Sequence, residues 1–373
     1  MKQTLIIAVF LQVAFMSTFS QTNEPSPIFI AVPSLTIAPD ARAGGMGDVG
    51  VATTPDINSQ YWNPAKYVFM ESEAGMSISY TPWLRRLVND IDLGYLAGYW
   101  KFNQRQAISA SLRYFSLGEI VLTDQQGENM GIAQPNELAV DFAYSLMLAD
   151  NLSASVAMRF IRSDLGNGAQ TDMYPGMAVG ADFATYYKTP ITLQSGDGNL
   201  SLGLNVSNIG SKISYDKFES SNFIPTNLRL GGSFDYPIDN YNKISVSADL
   251  NKLLIPTQNN LTQEEYSAIS PLSGIFMSFS DAPGGFKEEM KEINWSIGAE
   301  YVYNNQFSVR GGYYNEDQTK GNRKYFTAGA GFKLNVFQLD AAYVISTSQT
   351  NPLDKTLRFS ISFDLFGLKN LVK

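Results

Sequence analysis

The 373-residue chain contains no cysteine and no histidine. The first absence excludes disulfide frameworks, thiolate nucleophiles and cysteine metal sites; the second excludes His ligands and every His-based catalytic triad. Charge is also scarce. Asp, Glu, Lys and Arg make up 17% of the residues, against roughly 25% in ordinary soluble domains. The net charge of −8 gives no basic footprint, so nucleic acid is not an expected partner. Long apolar runs are missing too: beyond the N-terminus no uninterrupted stretch approaches the length of about 18 residues that a membrane-spanning helix needs.

What is present is aromatic residues, at 13%, and alternation. In 151–164, Leu152, Ala154, Val156, Met158 and Phe160 alternate with Ser153, Ser155, Ala157 and Arg159. In 243–252, Ile244, Val246, Ala248 and Leu250 alternate with Ser245, Ser247, Asp249 and Asn251. Near the C-terminus Leu357, Phe359, Ile361, Phe363 and Leu365 alternate with Arg358, Ser360, Ser362 and Asp364. Successive strand side chains point to opposite faces, so each segment has one oily and one polar face. The segments run to about ten residues or more, enough for a tilted strand to cross a bilayer. A mean hydropathy near zero fits such a barrel, in which lumen-facing polar residues dilute the lipid-facing ones. The fold expected is all-β: a transmembrane antiparallel β-barrel in the outer membrane, spanning it many times and surrounded by its lipid.

The first twenty residues predict a signal peptide. Lys2 is followed by the apolar stretch 5–15, broken only by Gln12, and by Thr18-Phe19-Ser20, which offers small residues to a signal peptidase ahead of Gln21. Residues 21–72 are expected to form a hatch or plug. From 24 to 70 the chain does not alternate and is rich in Gly, Pro and Ala. Residues 73–373 are expected to form the barrel, with candidate strands near 74–80, 90–101, 106–118, 137–148, 151–164, 176–188, 199–209, 226–236, 243–252, 293–303, 306–316, 323–334, 336–347 and 355–366. That is about 14 strands, an even number, as in single-chain bacterial barrels. Tight turns at Asn103, Asp150-Asn151, Asn304-Asn305 and Asn335 alternate with longer polar connections, as expected for periplasmic turns opposite external loops. The stretches 188–199 and 236–243 read as longer turns on the short-turn side.

Aromatic girdles are expected at both ends of the strands: Tyr99-Trp100, Tyr186-Tyr187, Tyr236, Tyr301 and Tyr303 at one, and Tyr80, Trp83 and Tyr313-Tyr314 at the other. Projecting the alternation puts Arg113, Arg159, Arg229, Arg310 and Arg358 inside, together with Asp141, Asp182, Asp235, Asp249, Glu300, Asp340 and Asp364. Facing lipid at mid-depth, each Arg or Lys would cost about 2–4 kcal/mol. With both signs present, the lumen can be cross-linked by ion pairs.

No motif points to catalysis, to a cofactor or to a bound metal. Gly44-Gly45-Met46-Gly47 lacks the strand, helix and Lys-Ser/Thr context of a phosphate loop; close backbone packing explains it better. Asp90/Asp92 and Glu288/Glu289 have no neighbours that would divide acid and base roles. The connection 252–292 is unusual, because about 40 residues without structure is too long for an ordinary loop. It carries Leu272, Ile275, Phe276, Met277 and Phe279, and then Phe286, Met290 and Ile293 at helical spacing. Two readings of this connection stand, a lid packed over its own barrel and a protein-binding surface; on the second, partner-binding residues are expected on the external loops: Phe276, Met277, Phe279, Phe286 and Met290 here, and Phe218, Phe223 and Ile224 on the neighbouring loop. Asn63-Pro64-Ala65 is expected to form a tight buried turn in the hatch, because Pro64 fixes its own φ and holds Asn63 extended.

A signal peptide, a Gly/Ala-rich N-terminal segment containing Asn63-Pro64-Ala65 and fourteen strands together resemble the FadL family of outer-membrane barrels. The stretch Ala38-Pro39-Asp40-Ala41-Arg42-Ala43-Gly44-Gly45-Met46-Gly47-Asp48-Val49-Gly50, followed by Tyr61-Trp62-Asn63-Pro64-Ala65, more specifically resembles the PorV family, FadL-like components of the type IX secretion system. The resemblance implies a non-enzymatic protein that binds cargo carrying a C-terminal signal domain. It further implies association with the type IX translocon barrel and delivery to a surface attachment complex containing a sortase-like peptidase. The alternative is the FadL role itself, passive transport of hydrophobic small molecules. The Ser-, Asp- and Arg-rich inner face disfavours a long lipid tunnel, and a general porin is disfavoured by the expected plug.

Overall fold

The computed structural model describes residues 26–85, 87–123, 126–168, 173–193, 196–216, 221–258, 261–347 and 353–365; the expected signal peptide lies outside them. In chain order the strands are β1 (Ala74–Pro82), β2 (Asp92–Asn103), β3 (Gln106–Ser116), β4 (Ile120–Thr123), β5 (Asn129–Ala133), β6 (Asn136–Ala149), β7 (Leu152–Asp164) and β8 (Gly176–Leu193). They continue as β9 (Gly196–Gly210), β10 (Asn227–Pro237), β11 (Asn242–Leu253), β12 (Ile293–Tyr303), β13 (Phe307–Asn315), β14 (Lys324–Leu334), β15 (Phe337–Ser346) and β16 (Leu357–Asp364). Fourteen of them close into one barrel, each paired antiparallel with its neighbours, and β1 meets β16 to complete the ring. Closure leaves no open edge, which hydrocarbon could not satisfy. The other two, β4 and β5, pair only with each other; 118–136 was expected to be a plain loop.

The alternation sets the two faces as expected. Along β7, Ser153, Ser155, Ala157 and Arg159 are buried towards the lumen, while Val156, Met158 and Phe160 are exposed on the outside. A slip of one residue would invert all of them. The five arginines assigned inward are buried, as are Asp141, Asp182, Asp249, Glu300 and Asp340.

The girdle assignment needs correction within each aromatic pair. Trp100 is exposed, but Tyr99, Tyr186 and Tyr314 are buried inside the barrel. Adjacent strand residues face opposite ways, so only one member of each pair can meet lipid. The inward tyrosines stack on interior partners, Tyr99 on Tyr67 and Tyr314 on Tyr325.

At one mouth the connections are short. Asn304, Asn305 and Asn335 all adopt left-handed φ near +50°, a conformation that Asn tolerates better than most residues. The expected long turn at 188–199 is mostly strand, since β8 and β9 stay paired as far as Leu193 opposite Gly196. The long connections gather at the other mouth, which is the external one by the usual asymmetry of such barrels.

Candidate functional site

Residues 31–70 lie within the barrel, and their entry and exit are defined by hydrogen bonds to opposite mouths. At the long-loop mouth Ser26 N donates to Thr319 O (2.7 Å) and Ala31 N to Phe223 O (2.9 Å). At the short-turn mouth Lys101 Nζ donates to Met70 O (2.5 Å). Between these, polar wall residues meet the backbone of the segment. Arg229 Nη1 donates to Tyr61 O (3.0 Å), Asn205 Nδ2 to Trp62 O (2.7 Å) and Ser153 Oγ to Ala65 O (2.6 Å). Asp249 accepts from the amides of Gly50 (2.8 Å) and Val51 (3.0 Å). Short side chains bring wall and segment together: a Cβ on Gly312 would collide with the backbone of Met46 and Gly47. Gly47 itself has a φ of +72°, which a glycine adopts without strain.

Asn63, Pro64 and Ala65 occupy the lower part of this interior. Asn63 is extended, at φ −167°. Its Nδ2 donates to the carbonyls of Val51 (3.0 Å) and Thr185 (2.9 Å), and its Oδ1 accepts from Ala65 N (3.1 Å). One side chain thus ties two points of the interior segment to strand β8. Arg42, which sequence reasoning did not single out, joins the wall through charge. It donates to Glu300 Oε2 (2.8 Å) and Asp56 Oδ2 (2.8 Å), while Arg310 bridges Glu300 (2.6 Å) and Asp340 (2.6 Å). A buried carboxylate is tolerated here because two guanidiniums share it.

Over the external mouth, residues 254–258 and 261–292 fold into a cap. Thr262 and Glu265 form a reciprocal capping box for a helix over Gln263–Ala268. Ser270 then caps a second helix, Pro271–Met277, with Pro at its first position. The underside of the cap is apolar: Ile255 and Tyr266 pack on Phe223, with Ile28 and Ile30 against them. Lys212 donates to the carbonyls of Tyr266 (2.9 Å) and Ser267 (3.0 Å) and lies 4.0 Å over the Phe223 ring. Ion pairs fix the far end, where Lys252 meets Glu289 and Glu292, and Lys320 meets Glu288 and Glu292. Burial disfavours the charge on Lys320, but these carboxylates outweigh it and hold its pKa above the ordinary lysine value. Asp281, accepting from Thr257 N, is pushed up to about 6 by burial, with Glu289 and Glu292 adding to the effect.

The structure separates the expected partner-binding residues. Phe276 and Phe286 are 76% and 80% exposed, and Met277, Phe279 and Met290 also face solvent, beside Leu272. The helical stripe of Phe286 and Met290 is therefore turned outward; the buried positions of that turn are Glu289 and Glu292. Phe223 and Ile224 are the correction, at 4% and 2% exposed. Phe223 carries the cap from below, close enough that a Cβ on Gly274 would meet its ring at 2.8 Å. Ile224 packs with Val32 and Leu35. Both serve as supports and present no surface. Phe218 lies outside the described residues. That Lys252 and Lys320 clamp the cap was not foreseen, because a run such as Lys287-Glu288-Glu289 reads as a solvated face.

Comparison with known proteins adds the following. The family described as Type IX secretion system protein PorV matches residues 20–260. Comparison with curated proteins finds no match to the chain. Among solved structures, a TodX monoaromatic hydrocarbon channel with a deltaS2S3 mutation superposes with a TM-score of 0.53 at 11% identity, covering 87% of this chain and 99% of that one. The Ralstonia pickettii toluene transporter TbuX gives 0.46 at 12% identity, covering 87% and 97%. A Pseudomonas aeruginosa FadL homologue gives 0.45 at 12% identity, covering 90% and 99%. At such identities the likeness concerns the fold alone.

Proposed function

Since the chain belongs to the PorV family of type IX secretion system proteins, it is an outer-membrane component of that system, and we propose that it works by binding secreted cargo and escorting it. Cargo carrying a C-terminal signal domain is received beside the translocon barrel and handed to the surface attachment complex, whose sortase-like peptidase performs the chemistry. The observation that supports this reading is the external cap. Leu272, Phe276, Phe279, Phe286 and Met290 face water on a segment that ion pairs and a packed underside hold in place. Aromatic and Met side chains are enriched at protein interfaces, and exposing a group of them gains nothing for an isolated barrel. Passive transport of hydrophobic molecules is less well supported, because the lumen is filled by residues 31–70 and lined with paired charges.

Replacing 272–290 by a short polar linker tests the proposal. The barrel should still insert and keep its heat-dependent gel mobility, since no strand is touched. Co-purification with the translocon or cargo should fall to background, and surface-attached secreted proteins should be lost. Normal secretion with partners retained would place the interaction surface elsewhere, most simply on the lipid-facing wall.

A further inference from the structure

Between the top of the interior segment and the external rim lies a small cleft that opens to solvent. Its walls combine Arg229, Arg323 and Arg358 with Trp83, Tyr314 and the amide of Asn294. The polar groups do not balance. Arg358 is tied to Asp48, which also accepts from Tyr325 Oη (2.7 Å), yet Arg358 Nε has no partner. Arg323 uses Nε and Nη2 on Glu316 (2.8 and 2.7 Å). Arg229 spends one N–H of each terminal nitrogen on Tyr61, at 3.0 and 2.9 Å, and among the described residues no carboxylate pairs with it. A guanidinium carries more N–H donors than these bonds use and accepts none. Around the cleft, donors are therefore in surplus. Among the residues lining the cleft the unmatched acceptor is Asn294 Oδ1; Asp249, whose Oδ1 is also unmatched, and Asp182 do not line it.

A surplus of forked donors beside aromatic faces suits an acceptor-rich planar group on a flat or apolar stem. A single unmatched amide acceptor suits one N–H next to it. We propose that this cleft seats the end of an extended peptide, its free C-terminal carboxylate on Arg323 and Arg229 and its last residue against Tyr314 and Trp83. The choice of a peptide rests on the cargo-handling reading above; the demand for a carboxylate rests on the donor surplus alone.

The test is a titration of the purified detergent-solubilised barrel, followed by the fluorescence of its tryptophans, two of which border the cleft. The tripeptide Ala-Ala-Phe with a free carboxylate should bind saturably at millimolar concentration or below, and at least tenfold more tightly than its C-terminal amide. Arg323→Gln should erase that difference while leaving the heat-dependent mobility of the barrel intact. The variant lacking 272–290 should bind the peptide as wild type does, so that failure of the cap experiment and failure of this one are told apart. Equal affinity for acid and amide, or no saturable binding, would overturn the proposal. So would octanoate displacing the peptide at lower concentration than the peptide itself needs, which would make the site one for fatty acids.

Discussion

Two segments of this chain lack strand structure and both meet the barrel, yet they solve opposite problems. Residues 31–70 are enclosed, and backbone groups along them are held by the wall: Asp249 takes two amides, while Asn205 and Arg229 hold carbonyls. The cap, residues 254–258 and 261–292, is matched on one side only. Beneath, the cap rests on Phe223 and on the Lys252 and Lys320 ion pairs; above, its aromatic side chains meet water. An irregular segment tied to the wall at many points along its length is a finished structure. One that is held by ion pairs but keeps apolar groups uncovered is where the proposed partner surface lies.

Substitutions can break that contrast at graded cost. Glu300→Ala should do most damage, because Arg42 and Arg310 would lose the carboxylate they share; the expected loss is about 3–5 kcal/mol, read as a lowered unfolding temperature in detergent. Asn63→Ala leaves the carbonyls of Val51 and Thr185 without their donor, for an expected loss of about 1–3 kcal/mol. The same thermal melt measures it, and wild-type stability would mean that water replaces the amide. Lys320→Met should act locally, freeing Glu288 and loosening the hold on Glu292. Protease cleavage within the cap should rise roughly tenfold, equivalent to about 1.4 kcal/mol of easier opening, with the barrel melt unchanged. The double substitution Phe276→Ser and Phe286→Ser should leave stability within about 0.5 kcal/mol, while reducing recovery of the translocon or cargo in pull-downs. If that pair instead lowered the melting temperature, the contrast between the two segments would fail.

The barrel was legible because its signal is repeated. Every strand offers several alternating pairs, so Ser153, Ser155 and Arg159 against Val156, Met158 and Phe160 fix the face of β7 redundantly. The interior charges followed from the same projection. Single residues outside that repetition were not legible. Tyr99 and Tyr186 look like girdle aromatics until their neighbours Trp100 and Tyr187 claim the outer face. Phe223 and Ile224 look like loop surface, but the long connection folds back over the first and the interior segment packs on the second. The partners of Arg42 lie as far as 258 positions along the chain, and no local pattern records such a distance. The short helices of the cap carry capping residues, Thr262 with Glu265 and Ser270 with Pro271, that a closer reading of caps would have caught.

The interior segment also constrains the order in which the molecule can be made. It enters at the mouth where Ser26 meets Thr319 and leaves at the mouth where Met70 meets Lys101, immediately before the first strand. The ring around it is closed by β1 and β16, the first and last strands in the chain. A segment that spans the bore from mouth to mouth, bonded to the wall at Arg42 and at the Trp62 carbonyl, would have to be threaded lengthwise through a ring that had already closed. Shutting the seam between β1 and β16 last, around a segment already in place, avoids such threading, and on that route Glu300→Ala, which frees Arg42 from the wall, should slow the appearance of the closed, heat-resistant barrel.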